Sequence, residues 1–224
     1  MNYFITGIDT DIGKTFITKG LALLFESEGK KVGVFKPVQS GAIKERGKFI
    51  APDLEAIRVL SNNIKTSNSY LFEGEVSPAL AARLSGIKVD INKIKNDFDE
   101  FIKDTDVTLI EGAGGLLAPV SDDFLCADLI KKLDVPIIIV TAPFLGRLNH
   151  TLLTIHYAKS VGIKIKGIIV NKVPEHCDNL ATKNFIDELK RYTDVEILGE
   201  IHDINCVNPD CIIDEFKKIR VAFS

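Results

Sequence analysis

The run Gly7-Ile-Asp-Thr-Asp-Ile-Gly-Lys-Thr15 constrains this 224-residue chain more than any other stretch. A short apolar segment, Tyr3-Phe4-Ile5-Thr6, precedes it. Ile17, Leu21 and Leu24 follow at the spacing of one helix face. Strand, glycine-bounded loop, Lys-Thr and helix make the layout of a phosphate-binding loop. The stretch Asp11, Ile12, Gly13, Lys14, Thr15, Phe16 is expected to turn successive backbone N–H groups onto phosphate oxygens, with the helix start adding the positive end of its dipole. Lys14 then reaches the outer phosphates as a point charge, and the Thr15 hydroxyl can ligate Mg²⁺. The usual pattern has four residues between its glycines. Gly7 and Gly13 enclose five, with Ile8 where the first glycine would fall.

The length suits one domain spanning 1–224. A net charge of −3 supplies no global field for nucleic acid. No apolar run reaches the roughly 18 residues of a membrane span. Met1-Asn2-Tyr3 carries no basic leader, so no signal peptide is expected. Cys126, Cys177, Cys206 and Cys211 form no Cys-x-x-Cys pair and read as reduced thiols. Together these features point to a cytoplasmic protein without nucleic-acid or membrane partners.

Apolar runs alternate with helical patterns. Strands are expected at 2–6, 32–36, 107–111, 136–141, 165–171 and 195–198. Helices are expected at 14–28, 53–61, 78–85, 90–103, 126–133, 147–161, 179–192 and 211–219. Ile137-Ile-Ile-Val140 is apolar on both faces, as a parallel strand covered on both sides requires. The alternation implies a three-layer α/β domain with a mostly parallel central sheet flanked by helices. Ligands in such sheets lie beyond the carboxyl ends of the strands.

The residues after each strand are therefore the candidates. Lys36-Pro-Val-Gln-Ser40-Gly41 follows the second strand and brings a lysine and a hydroxyl toward the loop mouth. Asp53 opens a helical pattern, where it is either an N-cap or a metal ligand. Glu111 ends an apolar strand and precedes Gly112-Ala113-Gly114-Gly115, an arrangement that sets a carboxylate near the γ-phosphate and its Mg²⁺. Thr15, Asp53 and Glu111 make a hard-oxygen Mg²⁺ site. Asn171-Lys172-Val173-Pro174 lacks the aspartate with which GTPases read guanine. The Asn171 amide can pair with adenine instead, which favours ATP. The segment Leu145-Gly146-Arg147-Leu148-Asn149-His150 opens a helix whose free N–H groups suit a carboxylate, helped by Asn149. His150 fits a packing role.

Taken together, Thr6 to Thr15, Phe35-Lys-Pro-Val-Gln-Ser-Gly41, Ser77-Pro78, Glu111 to Gly115 and Leu145 to His150 resemble the dethiobiotin synthetases. The five-residue loop spacing is that family's own form. The resemblance implies a homodimer that uses MgATP and CO2 to close 7,8-diaminopelargonate (7,8-diaminononanoate) into the cyclic urea dethiobiotin. It implies that Lys36 and Lys14 neutralise the carbamate and the transferring phosphoryl group. Thr10 and Ser40 hold the carbamate and diamine end, Lys172 neighbours the nucleotide beside Asn171, and Leu145, Gly146 and Asn149 bind the substrate carboxylate from the neighbouring subunit. One departure follows Leu198-Gly-Glu-Ile201, where the family often has a proline and an apolar residue by the adenine and this chain has His202-Asp203.

The alternative is a switch ATPase of the partitioning and division-site type, which shares the fold. Those proteins carry an extra lysine early in the loop, and none stands between Gly7 and Gly13. Amidoligases of the cobalamin-synthesis type usually add a glutaminase domain, for which this chain has no length.

Overall fold

Seven parallel strands build one sheet: β1 (Asn2–Gly7), β2 (Val32–Gln39), β3 (Lys65–Leu71), β4 (Val107–Glu111), β5 (Ile137–Thr141), β6 (Ile165–Val173) and β7 (Ile197–His202). Their spatial order is β7-β6-β5-β1-β4-β2-β3. All the pairings are parallel, from Phe4 opposite Ile110 to Val34 opposite Thr66. The structure, a computed structural model, describes residues 1–45, 47–173, 179–202 and 208–220.

Side-chain alternation along the strands sorts the core into two layers. Tyr3, Ile5, Val34, Leu109, Ile138, Val140 and Ile169 face one side. There they meet helices α1 (Lys14–Ser27), α2 (Pro52–Arg58) and α9 (Pro209–Phe216). Phe4, Phe35, Ile110, Ile137, Ile139 and Ile168 face the other side. They meet α3 (Pro78–Leu84), α4 (Ile91–Phe101), α5 (Cys126–Leu133), α6 (Arg147–Ser160) and α8 (Phe185–Tyr192), the last preceded by the single turn α7 (Leu180–Lys183). This is the three-layer α/β architecture expected from the alternation. Two short antiparallel hairpins, Ile43–Glu45 with Lys48–Ile50 and Pro119–Ser121 with Phe124–Leu125, project from the connections.

The expected elements match closely in the interior and drift at the edges. The strand at 107–111 and the helix at 126–133 agree residue for residue. The sequence reading missed β3. Its sequence, Lys-Thr-Ser-Asn-Ser-Tyr-Leu, is polar because an edge strand keeps one flank and much of one face half-exposed. The last strand runs 197–202 rather than 195–198. The helix expected at 179–192 breaks at Asn184, and the last helix starts earlier, with Asn208 as its cap.

The thiols need a correction. Cys126 is free and buried, but Cys211 is disulfide-bonded. The absence of a Cys-x-x-Cys pair carried no information on that bond, since a disulfide needs only matching geometry between two cysteines. Cys177 and Cys206 lie outside the described residues, as do Pro174 and Asp203. Among the described residues, no helix is long and apolar enough to cross a membrane.

Candidate active site

The loop after β1 is gripped from three sides. Asn171 Nδ2 donates to the Ile12 carbonyl at 2.9 Å, Lys172 Nζ to the Asp11 carbonyl at 2.9 Å and Lys14 Nζ to the Asp9 carbonyl at 3.0 Å. With three of its carbonyls so occupied, the loop's N–H groups are left for an anion. Gly13 takes φ 90° and caps α1 with no side-chain bond, so the first-turn N–H groups stay open to an anion. A Cβ at Gly13 would fall 2.1 Å from Asn171 Nδ2, so the grip itself demands glycine there.

Four side chains meet at the mouth of this loop. The Thr15 hydroxyl lies 3.2 Å from Asp53 Oδ1 and 2.8 Å from Glu111 Oε1. Lys36 Nζ lies 2.7 Å from the same Glu111 Oε1 and also pairs with Asp53 Oδ2. Lys36, Glu111 and Lys14 are all buried. Burial is the largest influence on the Lys36 ammonium and works to lower its pKa. The Glu111 and Asp53 carboxylates more than offset it, so the net shift is upward. Burial likewise works to raise Asp53, and Lys36, Gln39 and Thr15 pull it below its ordinary value. Lys14 is lowered, first by burial and then by the charge of Lys36. Cys126 touches none of this chemistry as a thiolate, because burial pushes its thiol up to about 12.

Asp53 is not the N-cap of α2. Ala51 holds that position and Pro52 opens the helix, so Asp53 sits in the first turn with its carboxylate turned to Thr15 and Lys36. A cavity of about 460 Å³ opens over the loop. Thr10, Asp11, Gly13, Lys14, Thr15, Lys36, Ser40, Asp53, Glu111, Gly112, Ala113, Gly114 and Lys172 line it, as do Gln39 and Glu75. The sequence reading had passed over the last two. Gln39 carried a signal, since it lies inside the Lys36–Gly41 stretch, whereas Glu75 has only its place in the fold.

Several expected residues stand apart from that cavity. Asn171 is buried behind the loop, with one amide hydrogen bound to Ile12. Ile12 is itself buried, and Phe16 packs edge-on against Phe216 with ring centroids 5.7 Å apart. Leu145 and Gly146 line a separate, largely apolar cavity of about 420 Å³ with Phe144, Leu148, Leu180 and Phe185. Asn149 is exposed, and so is His150, which therefore does not pack. One contact ties this region to the phosphate loop: Arg147 Nη1 donates to Asp9 Oδ2 at 2.7 Å.

The sequence and the fold have counterparts among known proteins. The model of an AAA domain family matches residues 1–210. An ATP-dependent dethiobiotin synthetase BioD of Anoxybacillus flavithermus is 38% identical over 201 residues, covering 89% of this chain and 90% of that protein. One of Methanococcus vannielii is 34% identical over 200 residues, covering 89% and 92%. Among solved structures, the MinC:MinD cell division protein complex of Aquifex aeolicus superposes with a TM-score of 0.61 at 16% identity, covering 100% of this chain and 98% of that one. A ParA family ATPase of Chlorobium tepidum gives 0.60 at 12%, covering 95% and 96%. At such identities the structural likeness establishes the fold alone, while the sequence likeness, 34% and 38% identity over 89% of this chain, establishes the family. The chain belongs to the family of ATP-dependent dethiobiotin synthetases.

Proposed function

We propose that this chain is one ATP-dependent cyclo-ligase domain that closes 7,8-diaminopelargonate with CO2 to dethiobiotin, releasing ADP and phosphate. The observation that carries the reading is the second buried lysine. Lys36 comes from β2 and meets Lys14 of the phosphate loop across one cavity. Two cations suit a reaction in which an anionic phosphoryl group passes to an anionic acceptor.

The residues fit a hard divalent cation. The Thr15 hydroxyl has one hydrogen yet lies within bonding distance of two carboxylate oxygens, and Glu111 Oε2 is buried without a hydrogen-bond partner among the described residues. Thr15, Asp53 and Glu111 would hold Mg²⁺, with phosphate oxygens and water completing its shell. Held there, Mg²⁺ would neutralise charge on the phosphoryl group in transfer.

One amine of the diamine adds CO2 and loses a proton to give a carbamate. The carbamate oxygen takes the γ-phosphoryl group from ATP. The second amine then attacks the carbonyl carbon and expels phosphate, closing the urea ring. No protein nucleophile is needed, so this chain's work is positioning and charge stabilisation. Lys14 and Lys36 face the transferring group. Thr10 and Ser40 orient the carbamate and diamine from the cavity wall. Lys172 and Asn171 brace the nucleotide end, Asn171 from behind the loop through the Ile12 carbonyl. Leu145, Gly146 and Asn149 receive the substrate carboxylate from a neighbouring subunit of a cytoplasmic homodimer. The test is incubation with diaminopelargonate, bicarbonate and MgATP, with dethiobiotin read by mass spectrometry. ATP hydrolysis without dethiobiotin would defeat the reading.

A further inference from the structure

We propose that Lys36 and the divalent cation are alternative occupants of one carboxylate site, so that metal loading hands the Lys36 ammonium over to the reacting oxygens. The inference rests on the function proposed above and adds a coupling between metal and lysine. Lys36 Nζ is 2.7 Å from Glu111 Oε1 and also pairs with Asp53 Oδ2. Thr15 Oγ1 is 2.8 Å from that same Glu111 oxygen and 3.2 Å from the other oxygen of Asp53. The ammonium therefore shares Glu111 Oε1 with Thr15 and holds the second oxygen of Asp53, so it stands on the same two carboxylates that a cation ligated by Thr15 would use. A metal ion at the roughly 2.0–2.1 Å that Mg²⁺ demands would share Glu111 Oε1 with a second positive charge. In a buried site the repulsion between them is weakly screened.

The lysine has somewhere to go. Its stem leaves β2 at a fixed point, opposite Asn68 in β3 and followed by Pro37. The side chain borders the cavity that Thr10, Ser40 and Lys14 also line. Swinging into that cavity brings it toward Lys14, whose own ammonium already feels the charge of Lys36. Two lysines facing each other are unfavourable until anionic oxygens lie between them. The carbamate and the γ-phosphate supply such oxygens. Metal, nucleotide and carbamate thus favour one another through a single side chain, and the metal alone must compete with an internal cation. By the population argument, a site nine-tenths occupied by lysine weakens apparent metal affinity about tenfold.

The test uses the full-length, nucleotide-free protein and Mn²⁺ as probe, with free Mn²⁺ counted by electron paramagnetic resonance. Lys36→Met keeps the aliphatic stem and removes the competitor. It is expected to bind Mn²⁺ at least about tenfold more tightly than wild type. Equal or weaker binding would overturn the proposal, because Lys36 would then be a fixed support of the carboxylates. A second measurement needs no variant. Acetylation of Lys36 by a small acylating reagent, read by peptide mass spectrometry, should rise several-fold in wild type when Mn²⁺ saturates the site. Unchanged labelling would count against any release of the lysine. Neither readout involves dethiobiotin, so failure of the coupling and failure of the proposed function are distinguishable.

Discussion

The side-chain amide of Asn171 donates to the carbonyl of Ile12 at 2.9 Å, joining the end of β6 to the phosphate loop across 159 residues of sequence. Both residues are buried. The bond fixes the loop's curvature from behind, while Lys172 repeats the grip one residue earlier in the loop, at Asp11. Asn171→Ala would leave the Ile12 carbonyl buried and unpaired, at a cost of about 1–3 kcal/mol. Denaturant unfolding should show that loss, and calorimetric titration should show ATP binding weakened as the loop relaxes. Asn171→Asp should be worse on both counts, because a carboxylate set against a carbonyl repels it.

The start of α6 leads to an expectation about assembly. Leu145 is 87% exposed, and Phe144 and Leu180, which line the same cavity, are exposed with it. Apolar side chains gathered around a cavity and left to water suit a subunit contact. Sedimentation is expected to show a dimer at assay concentration. Leu145→Asp should shift it toward monomer and lower turnover with diamine, leaving nucleotide binding by the isolated subunit largely intact. A monomer with full activity would remove this region from the site.

Glu215 makes acid stability a readable quantity. It lies in α9, where its Oε1 accepts from the His202 backbone at 3.0 Å and its Oε2 from Lys218 at 2.6 Å. Burial works to raise its pKa. The His202 backbone N–H, Lys218 and the His202 ring more than offset that and bring it from 4.5 to about 2. A depressed carboxyl stabilises the fold above its unfolded value and loses that contribution as pH falls through the folded one. Glu215→Gln should therefore be less stable at pH 7 by up to about 3 kcal/mol, the equivalent of that drop. The gap between the two proteins should close as pH falls from 4.5 toward 2. A gap independent of pH would mean that packing, not charge, explains the loss.

Much of this arrangement was legible in the sequence, because the central strands are apolar on both faces and the loop carries its own chemistry. Glu111 could be placed at a strand end by counting residues in a parallel sheet, whereas Lys36, expected at the end of a strand over 32–36, lies inside β2, which runs on to Gln39 because it stays paired with the polar edge strand β3. Three things could not be read. The edge strand at 65–71 hides because its polarity resembles a loop. The role of Asp53 depends on α2 starting at Pro52, two residues before the start at Leu54 that would have made it a cap. The contact of Arg147 with Asp9 joins residues 138 positions apart, and no local pattern encodes it. Sequence periodicity reports burial, but pairing between polar side chains is decided by the fold that brings them together.

The two lysines should separate in kinetics. Lys14 leaves the loop itself, holds the Asp9 carbonyl at 3.0 Å and stands where the phosphates of ATP would lie. Lys14→Ala should weaken nucleotide binding and also slow the reaction. Lys36 comes from the opposite wall, paired with Asp53 and Glu111. Charge on the transferring oxygens grows toward the transition state, so a cation there stabilises that state more than the bound substrates. Lys36→Ala should lower kcat by about a hundred- to thousandfold, or roughly 3–4 kcal/mol, with a smaller rise in the apparent constant for ATP. Lys36→Arg should rescue only in part, since a broad planar fork cannot replace a compact ammonium between two carboxylates. The measurement is steady-state kinetics with ATP and diamine varied separately, beside nucleotide binding in the absence of diamine. If both alanine variants lost ATP binding equally and Lys36→Ala reached wild-type turnover at saturating ATP, Lys36 would be a nucleotide contact and nothing more.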